Sequence, residues 1–147
     1  MEKNKLYKEI EEILEKNRDA EKGFRKAAEN TDNHGLKVYF QDKAAKRKEF
    51  NTRLTSEVRL AYSDFDEDGS FSGTIHRAWM DVKALFSADD DEAMLEESIR
   101  GDKAAIEEYN DVLEESTLPI VLRNLLTEQK AAIQMDLNEN KTLEDLA

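Results

Sequence analysis

With 147 residues, 34 acidic against 22 basic side chains and a formal charge of −12, the chain repels the phosphates of nucleic acids and the surfaces of anionic membranes. It holds no cysteine, which excludes disulfides, thiolate zinc sites, iron–sulfur clusters and cysteine nucleophiles, and its five glycines and single proline suit long charged helices better than a turn-rich sheet. The length fits one domain, residues 1–147, while Met1 to Leu14 lacks the apolar run of a secretory signal and no segment reaches membrane-spanning length, so a cytoplasmic all-α protein is expected.

The first helix is expected at about residues 3–30, because Leu6, Ile10, Ile13, Leu14, Phe24, Ala27 and Ala28 recur at three- and four-residue steps. The turn and capping residues of Glu29 to Gly35 follow, and Leu36, Phe40, Ala44, Phe50, Leu54, Val58 and Ala61 place a second helix at about 35–62. An acidic, Gly- and Ser-containing break from Asp64 to Ser72 precedes a short helix at about 73–86, built on Ile75, Trp79, Val82, Leu85 and Phe86. Ser87 to Glu92 reads as a second acidic break with capping character, and Met94, Leu95, Ile99, Ala105, Ile106, Tyr109, Val112 and Leu113 then define a third long helix at about 91–115. Pro119 restarts the chain for a fourth helix at about 119–140, with Leu122, Leu125, Leu126, Ala132, Ile133 and Leu137 on its apolar side. Short, long, short connections predict two antiparallel hairpins joined by one crossover, the ferritin-like order. A helix of about 14 residues in the crossover covers roughly 21 Å.

Each apolar stripe is interrupted near its middle by polar side chains: Asn17 and Glu21, Arg47, Asp102, Gln129 and Asp136. In an antiparallel hairpin, residues at one height have roughly constant summed numbers. Glu21 then falls opposite Ala44 with Arg47 about a turn away, and Asp102 falls opposite Ala132 with Gln129 and Asp136 one turn to either side. Two readings follow. In one, Asn17, Glu21, Arg47, Asp102 and Gln129 form an interior polar network in which Arg47 meets Glu21 and Asp102 and fixes helix register. In the other, Glu21, Asp102 and Asp136 are oxygen donors to iron or manganese. The usual di-metal set has four carboxylates and two His, and neither His34 nor His76 follows a Glu by three residues.

Several stretches together resemble a family of bacterial, ferritin-like four-helix proteins classed as a domain of unknown function. They are Asp19 to Phe24 with Gly23 and Ala27-Ala28, Gly73-Thr-Ile-His76-Arg77-Ala-Trp79-Met-Asp81, Arg100-Gly101-Asp102 with Tyr109, and Gln129. The likeness covers nearly the whole chain, and the His-Arg-Ala-Trp stretch is its most specific part. Relatives often carry Glu where this chain has Asp102, and a His late in the fourth helix where this chain has Asp136-Leu137-Asn138. The family has no assigned activity. The resemblance implies the bundle fold and, as for some ferritin-like proteins, a link to stress responses.

Outside the polar layer, Asp64-Phe-Asp66-Glu-Asp68-Gly69 opens like a calcium loop, but its twelfth position is Ile75 where a bidentate Glu belongs, so an acidic linker is the simpler reading. His76, Arg77, Trp79 and Asp81 read as an anchor for the crossover, with Trp79 seated in a groove of the bundle and Arg77 four residues before Asp81. One His without a positioned nucleophile or second base makes no catalytic set, and no serine sits in a nucleophile elbow. Tyr7, Phe24, Tyr39, Phe40, Phe50 and Tyr109 fall on helix stripes and read as core packing. Ile13 and Leu14 widen the apolar arc of the first helix enough to offer a homodimer face. The expected function is therefore a non-enzymatic structural or interaction module with a protein partner or a second copy. The alternative is a divergent di-metal or oxidant-handling protein.

Overall fold

The computed structural model describes residues 2–65, Trp79 and residues 90–146. The helix expected at 73–86, the residues His76, Arg77 and Asp81, and the acidic loop beyond Phe65 lie outside the described residues. Four helices and no strand are present among the described residues: α1 (Glu2–Asn30), α2 (His34–Ala61), α3 (Asp91–Leu113) and α4 (Ile120–Leu146). The fourth runs past its expected end at Asn140, because the Asn138 to Leu146 stretch holds no Gly or Pro to stop it.

Each long helix lays a seam of three- and four-residue steps into the interior: Leu6, Ile10, Ile13, Asn17, Ala20, Phe24 and Ala27 on α1; Leu36, Phe40, Lys43, Arg47, Leu54 and Val58 on α2. The seams continue as Leu95, Ser98, Asp102, Ala105, Tyr109 and Val112 on α3, and Leu122, Leu126, Gln129, Ile133, Asp136 and Asn140 on α4. Such spacing keeps one stripe of each rod turned inward over many turns. Ile13 and Leu14 are both fully buried, so the wide apolar arc of α1 is used up inside the chain and offers no outer face.

The turns are set by local chemistry. The Asn33 Oδ1 accepts from Leu36 N at 3.1 Å and caps α2, while Asp90 Oδ1 accepts from Glu92 N at 3.0 Å and caps α3. At the far end of α3, Arg123 reaches back from α4 and donates to the Leu113 and Glu115 carbonyls at 2.6 and 2.9 Å, satisfying groups the helix end leaves open.

α1 packs on α2 and α3, and α4 packs on α3 and α2. Arg47 meets Asn17 and Asn51 meets Leu14, so α1 and α2 are antiparallel. Lys5 meets Glu115 and Thr31 meets Asp91, so α1 and α3 are antiparallel as well. It follows that α2 and α3 run in the same direction. The α2 terminus lies with Tyr7, whose ring touches Phe65 at 5.5 Å, and the α3 start lies at the other end with Thr31.

The apolar core is in two parts. One gathers Leu6, Ile10, Ile13, Leu54, Val58, Val112, Leu122 and Leu126 towards the Tyr7 end, and the other gathers Phe24, Ala27, Leu36, Phe40, Met94 and Leu95 towards Thr31. Truncation in the part towards Tyr7 should cost what a filled core costs. Leu54→Ala is expected to lower the unfolding free energy by about 2–5 kcal/mol in urea titrations, and Asn33→Ala at the α2 cap by about 1 kcal/mol.

Candidate functional site

Between the two apolar parts lies a polar layer to which all four helices contribute. Lys43 and Arg47 stand one turn apart on α2, and both reach Asp102 of α3: Lys43 Nζ lies 2.5 Å from Oδ2 and Arg47 Nη2 lies 2.8 Å from Oδ1. Both carboxylate oxygens are thus engaged by cations. The second arm of Arg47 donates from Nη1 to Asn17 Oδ1 on α1 at 3.0 Å. Asn17 Nδ2 donates to Tyr109 Oη at 3.0 Å, Tyr109 donates to Gln129 Oε1 on α4 at 2.8 Å, and Gln129 Nε2 donates to the Phe50 carbonyl of α2 at 3.1 Å.

The direction of this chain of bonds follows from its first member. A guanidinium has no acceptor, so it must face the carbonyl oxygen of Asn17. The Asn17 amide nitrogen then faces Tyr109, which leaves the phenol proton for Gln129. The layer is dry, with Asn17, Lys43, Arg47, Asp102, Tyr109 and Gln129 each at most 2 % exposed. Arg47 and Lys43 rank among the largest fully buried side chains, and the facing helices carry small buried residues at this level, Ala20 on α1 and Gly101 and Ala105 on α3.

Two cations against one anion leave a positive excess. Burial is the main force pushing the Lys43 ammonium below its ordinary 10.5, Asp102 pulls it up, and Arg47 pushes it down again. Aromatic faces supply part of the missing hydration: Lys43 Nζ lies 4.6 Å from the Phe24 ring centre, and Arg47 lies 5.6 Å from Phe24 and 5.5 Å from Trp79. Burial also pushes the Tyr109 phenol up to about 12, so it stays a neutral donor. Trp79 is buried against Tyr109 with ring centres 6.3 Å apart, and its Nε1 donates to Glu108 Oε1 at 3.2 Å, an oxygen that Lys16 of α1 also engages.

Among the residues singled out from the sequence, Asn17, Arg47, Asp102 and Gln129 share this layer. Glu21 stands apart: its carboxylate takes the Nε and Nη2 of Arg25 on its own helix, at 3.0 and 2.8 Å, at the bundle surface. Asp136 lies at the edge, where Oδ1 accepts from Lys46 at 2.8 Å and its backbone carbonyl accepts from the Tyr39 hydroxyl at 2.8 Å. His34 is exposed at the first position of α2. Sequence reasoning missed Lys43 and took Tyr109 as packing alone. The seam steps Leu36, Phe40, Lys43, Arg47 hold the signal for the lysine. Among the described residues no three His, Asp or Glu side chains come together as a metal-holding group.

A family model described as a domain of unknown function (DUF2383) matches residues 5–115. The chain belongs to that family. No curated protein matches it. The DUF2383 match spans α1 to α3 and stops short of α4, so it is narrower than the near-complete likeness read from the sequence, and Gln129 and Asp136 lie beyond it.

Removing Asp102 would strand two buried cations. Asp102→Ala is expected to cost about 3–5 kcal/mol of stability by urea titration, more than the loss of a neutral hydrogen-bond partner in Asn17→Ala. Lys43 gives a pH signature. The unfolded chain holds this proton more tightly than the folded chain does, so stability rises with pH between the lowered folded value and 10.5. The stability of the parent chain relative to Lys43→Met should therefore improve as pH climbs towards 10.5. A gap that stays flat across that range would refute the assignment.

Proposed function

We propose that this DUF2383 member is a bacterial, cytoplasmic ferritin-like bundle that serves as a non-enzymatic structural or interaction module, and that its own cations occupy the centre where related bundles hold metals. The observation that carries this reading is the double engagement of Asp102. An acid with Lys43 on one oxygen and Arg47 on the other already has its charge more than matched by cations, and the net positive charge of the trio repels an ion. Asp136 is drawn off to Lys46 and Glu21 to Arg25, so the three carboxylates that could have served as donors are each committed elsewhere.

The ferritin-like order has its own support. α2 and α3 are parallel, and α3 alone is about 35 Å long at 1.5 Å per residue. A connection from Tyr62 to Asp90 that passes Trp79 at mid-bundle fits a crossover along the length of the rods. The stripe of Trp79 against Tyr109 and Arg47 supports the anchoring role read for that residue. Among the described residues no helix is long and apolar enough to cross a membrane.

The test is metal loading. Purified protein incubated with Fe(II), Mn(II) or Zn(II) and desalted is expected to retain well under one ion per chain, with no ferroxidase activity and no change on Asp102→Asn. Uptake near two ions per chain that Asp102→Asn abolishes would overturn the reading and return the divergent di-metal alternative.

A further inference from the structure

The charge of the chain is divided very unevenly. Residues 1–62 carry 15 basic and 12 acidic side chains, a net of +3, whereas residues 63–147 carry 7 basic and 22 acidic ones, a net of −15. The inward-facing cations of the first hairpin find their partners on the second, as Lys16 does with Glu108, Lys43 with Asp102 and Lys46 with Asp136. Among the described residues, no acidic helix of the second hairpin packs over the outward-facing cations Arg18 and Lys48.

An open groove of about 660 Å³ runs between α1 and α2 on that outer side, with Arg18, Lys48 and Arg59 along its walls and the small side chains Thr52, Thr55 and Ser56 between them. The Arg18 and Lys48 side chains make no hydrogen bond or ion pair with another described residue. The groove's acid, Glu21, is neutralised by Arg25. A smaller groove continues the line past Arg25, Lys37 and Gln41, where Glu29 is likewise paired, with Lys26. Trp79 packs on the other side of α1, beside Lys16 and Glu108, so it does not cover this surface.

We propose that the outer α1–α2 groove docks an acidic polypeptide segment of a partner protein, held by Arg18 and Lys48. This deepens the interaction-module reading and rests on it. Charge complementarity selects the occupant. A second copy placed face to face would set these cations against themselves. A duplex nucleic acid, with one negative charge per about 1.7 Å of its axis, is a denser polyanion than an acidic peptide and so meets more of the repulsion of a body with a formal charge of −12. Small residues along the groove let a backbone approach closely, and the cations can donate charge-assisted hydrogen bonds to carboxylates.

The probe is fluorescein-labelled poly-L-glutamate of about 20 residues, titrated by fluorescence anisotropy at low ionic strength, where exposed charges act over about 30 Å. Binding that Arg18→Glu/Lys48→Glu weakens at least about tenfold, while Lys103→Glu/Lys130→Glu on the acidic half leaves it within about twofold, is expected. Equal loss in both double variants would mean that net charge alone is felt, and would overturn the proposal. So would absence of binding, or tighter binding of a single-stranded DNA of the same length. Sedimentation that shows self-association abolished by Arg18→Glu/Lys48→Glu would give the groove to a second copy and overturn it as well. Circular dichroism checks the fold, and Arg18→Gln/Lys48→Gln repeats the reading with a milder change. Peptide binding and metal uptake are separate readouts, so failure here leaves the assignment of the bundle centre standing or falling on its own test.

Discussion

The position of one carboxylate constrains the whole bundle. Asp102 lies at the centre with Lys43 and Arg47 on its two oxygens, and each of the three has left water entirely. Taking such charges into a core costs several kcal/mol apiece, a cost that close contact and hydrogen bonding only roughly offset, so the trio is a poor source of net stability compared with apolar residues of similar size. Its effect is on alignment. If α2 slid by two turns along α1, Arg47 would face Ile10 or Phe24 in place of Asn17, and Asp102 would lose at least one of its partners. The polar layer penalises the shifted arrangement, and in this chain it ties all four helices to one height.

The layer also explains the unequal character of the two apolar parts. Towards Tyr7 the seams carry Leu and Ile with few small residues. Towards Thr31 they carry Ala20, Ala27, Ala28 and Ala44 with the flat rings of Phe24, Tyr39 and Phe40. Long basic side chains starting on α2 need volume to cross the interior, and the alanines leave it. Their charged heads need some substitute for hydration, and the ring faces provide it. Tyr39 serves both needs, since its ring lies 5.4 Å from Lys43 Nζ and its hydroxyl is held by the Asp136 carbonyl. The sequence of the Thr31 half is thus a consequence of the cations beside it.

Much of this could be read from residue spacing. The helices and the polar interruption follow from periodicity, and the constant sum of paired numbers puts Arg47 within about a turn of the height it takes beside Asn17. The contact of Arg47 with Asp102 crosses between the parallel helices α2 and α3, which that rule does not reach. The misplacements share one cause. Lys43 precedes Ala44 and Glu21 follows Ala20, and a step of one residue turns a side chain by about 100° around a helix. An alanine on the apolar list can stand at either margin of a stripe, so it hides whether the residue beside it points in or out. Spacing puts Glu21 in the interior, whereas it pairs with Arg25 outside, and the same spacing omits Lys43, which lies at the centre. Tyr109 illustrates a different limit: spacing shows that a tyrosine is buried but not what its hydroxyl touches. A formal charge of −12 taken over the whole chain concealed that the first hairpin is basic.

That division of charge links the interior to the surface. Among the described residues, ion pairs cross between the hairpins with the cation on the first and the acid on the second: Lys5–Glu115, Lys16–Glu108, Lys43–Asp102, Lys46–Asp136, Arg47–Asp102 and Arg53–Glu128. The exposed members contribute little individually, about 0–1 kcal/mol. Taken together they carry a sign, and sign is what guides two preformed hairpins towards one docked arrangement and away from the reversed one. The buried trio is then the innermost case of a rule that holds from core to surface: α1 and α2 present positive charge, and α3 and α4 answer it. Because a helix has more than one face, a hairpin rich in lysine and arginine satisfies the rule inward and still presents cations outward, which is the physical origin of the basic groove on an otherwise acidic protein.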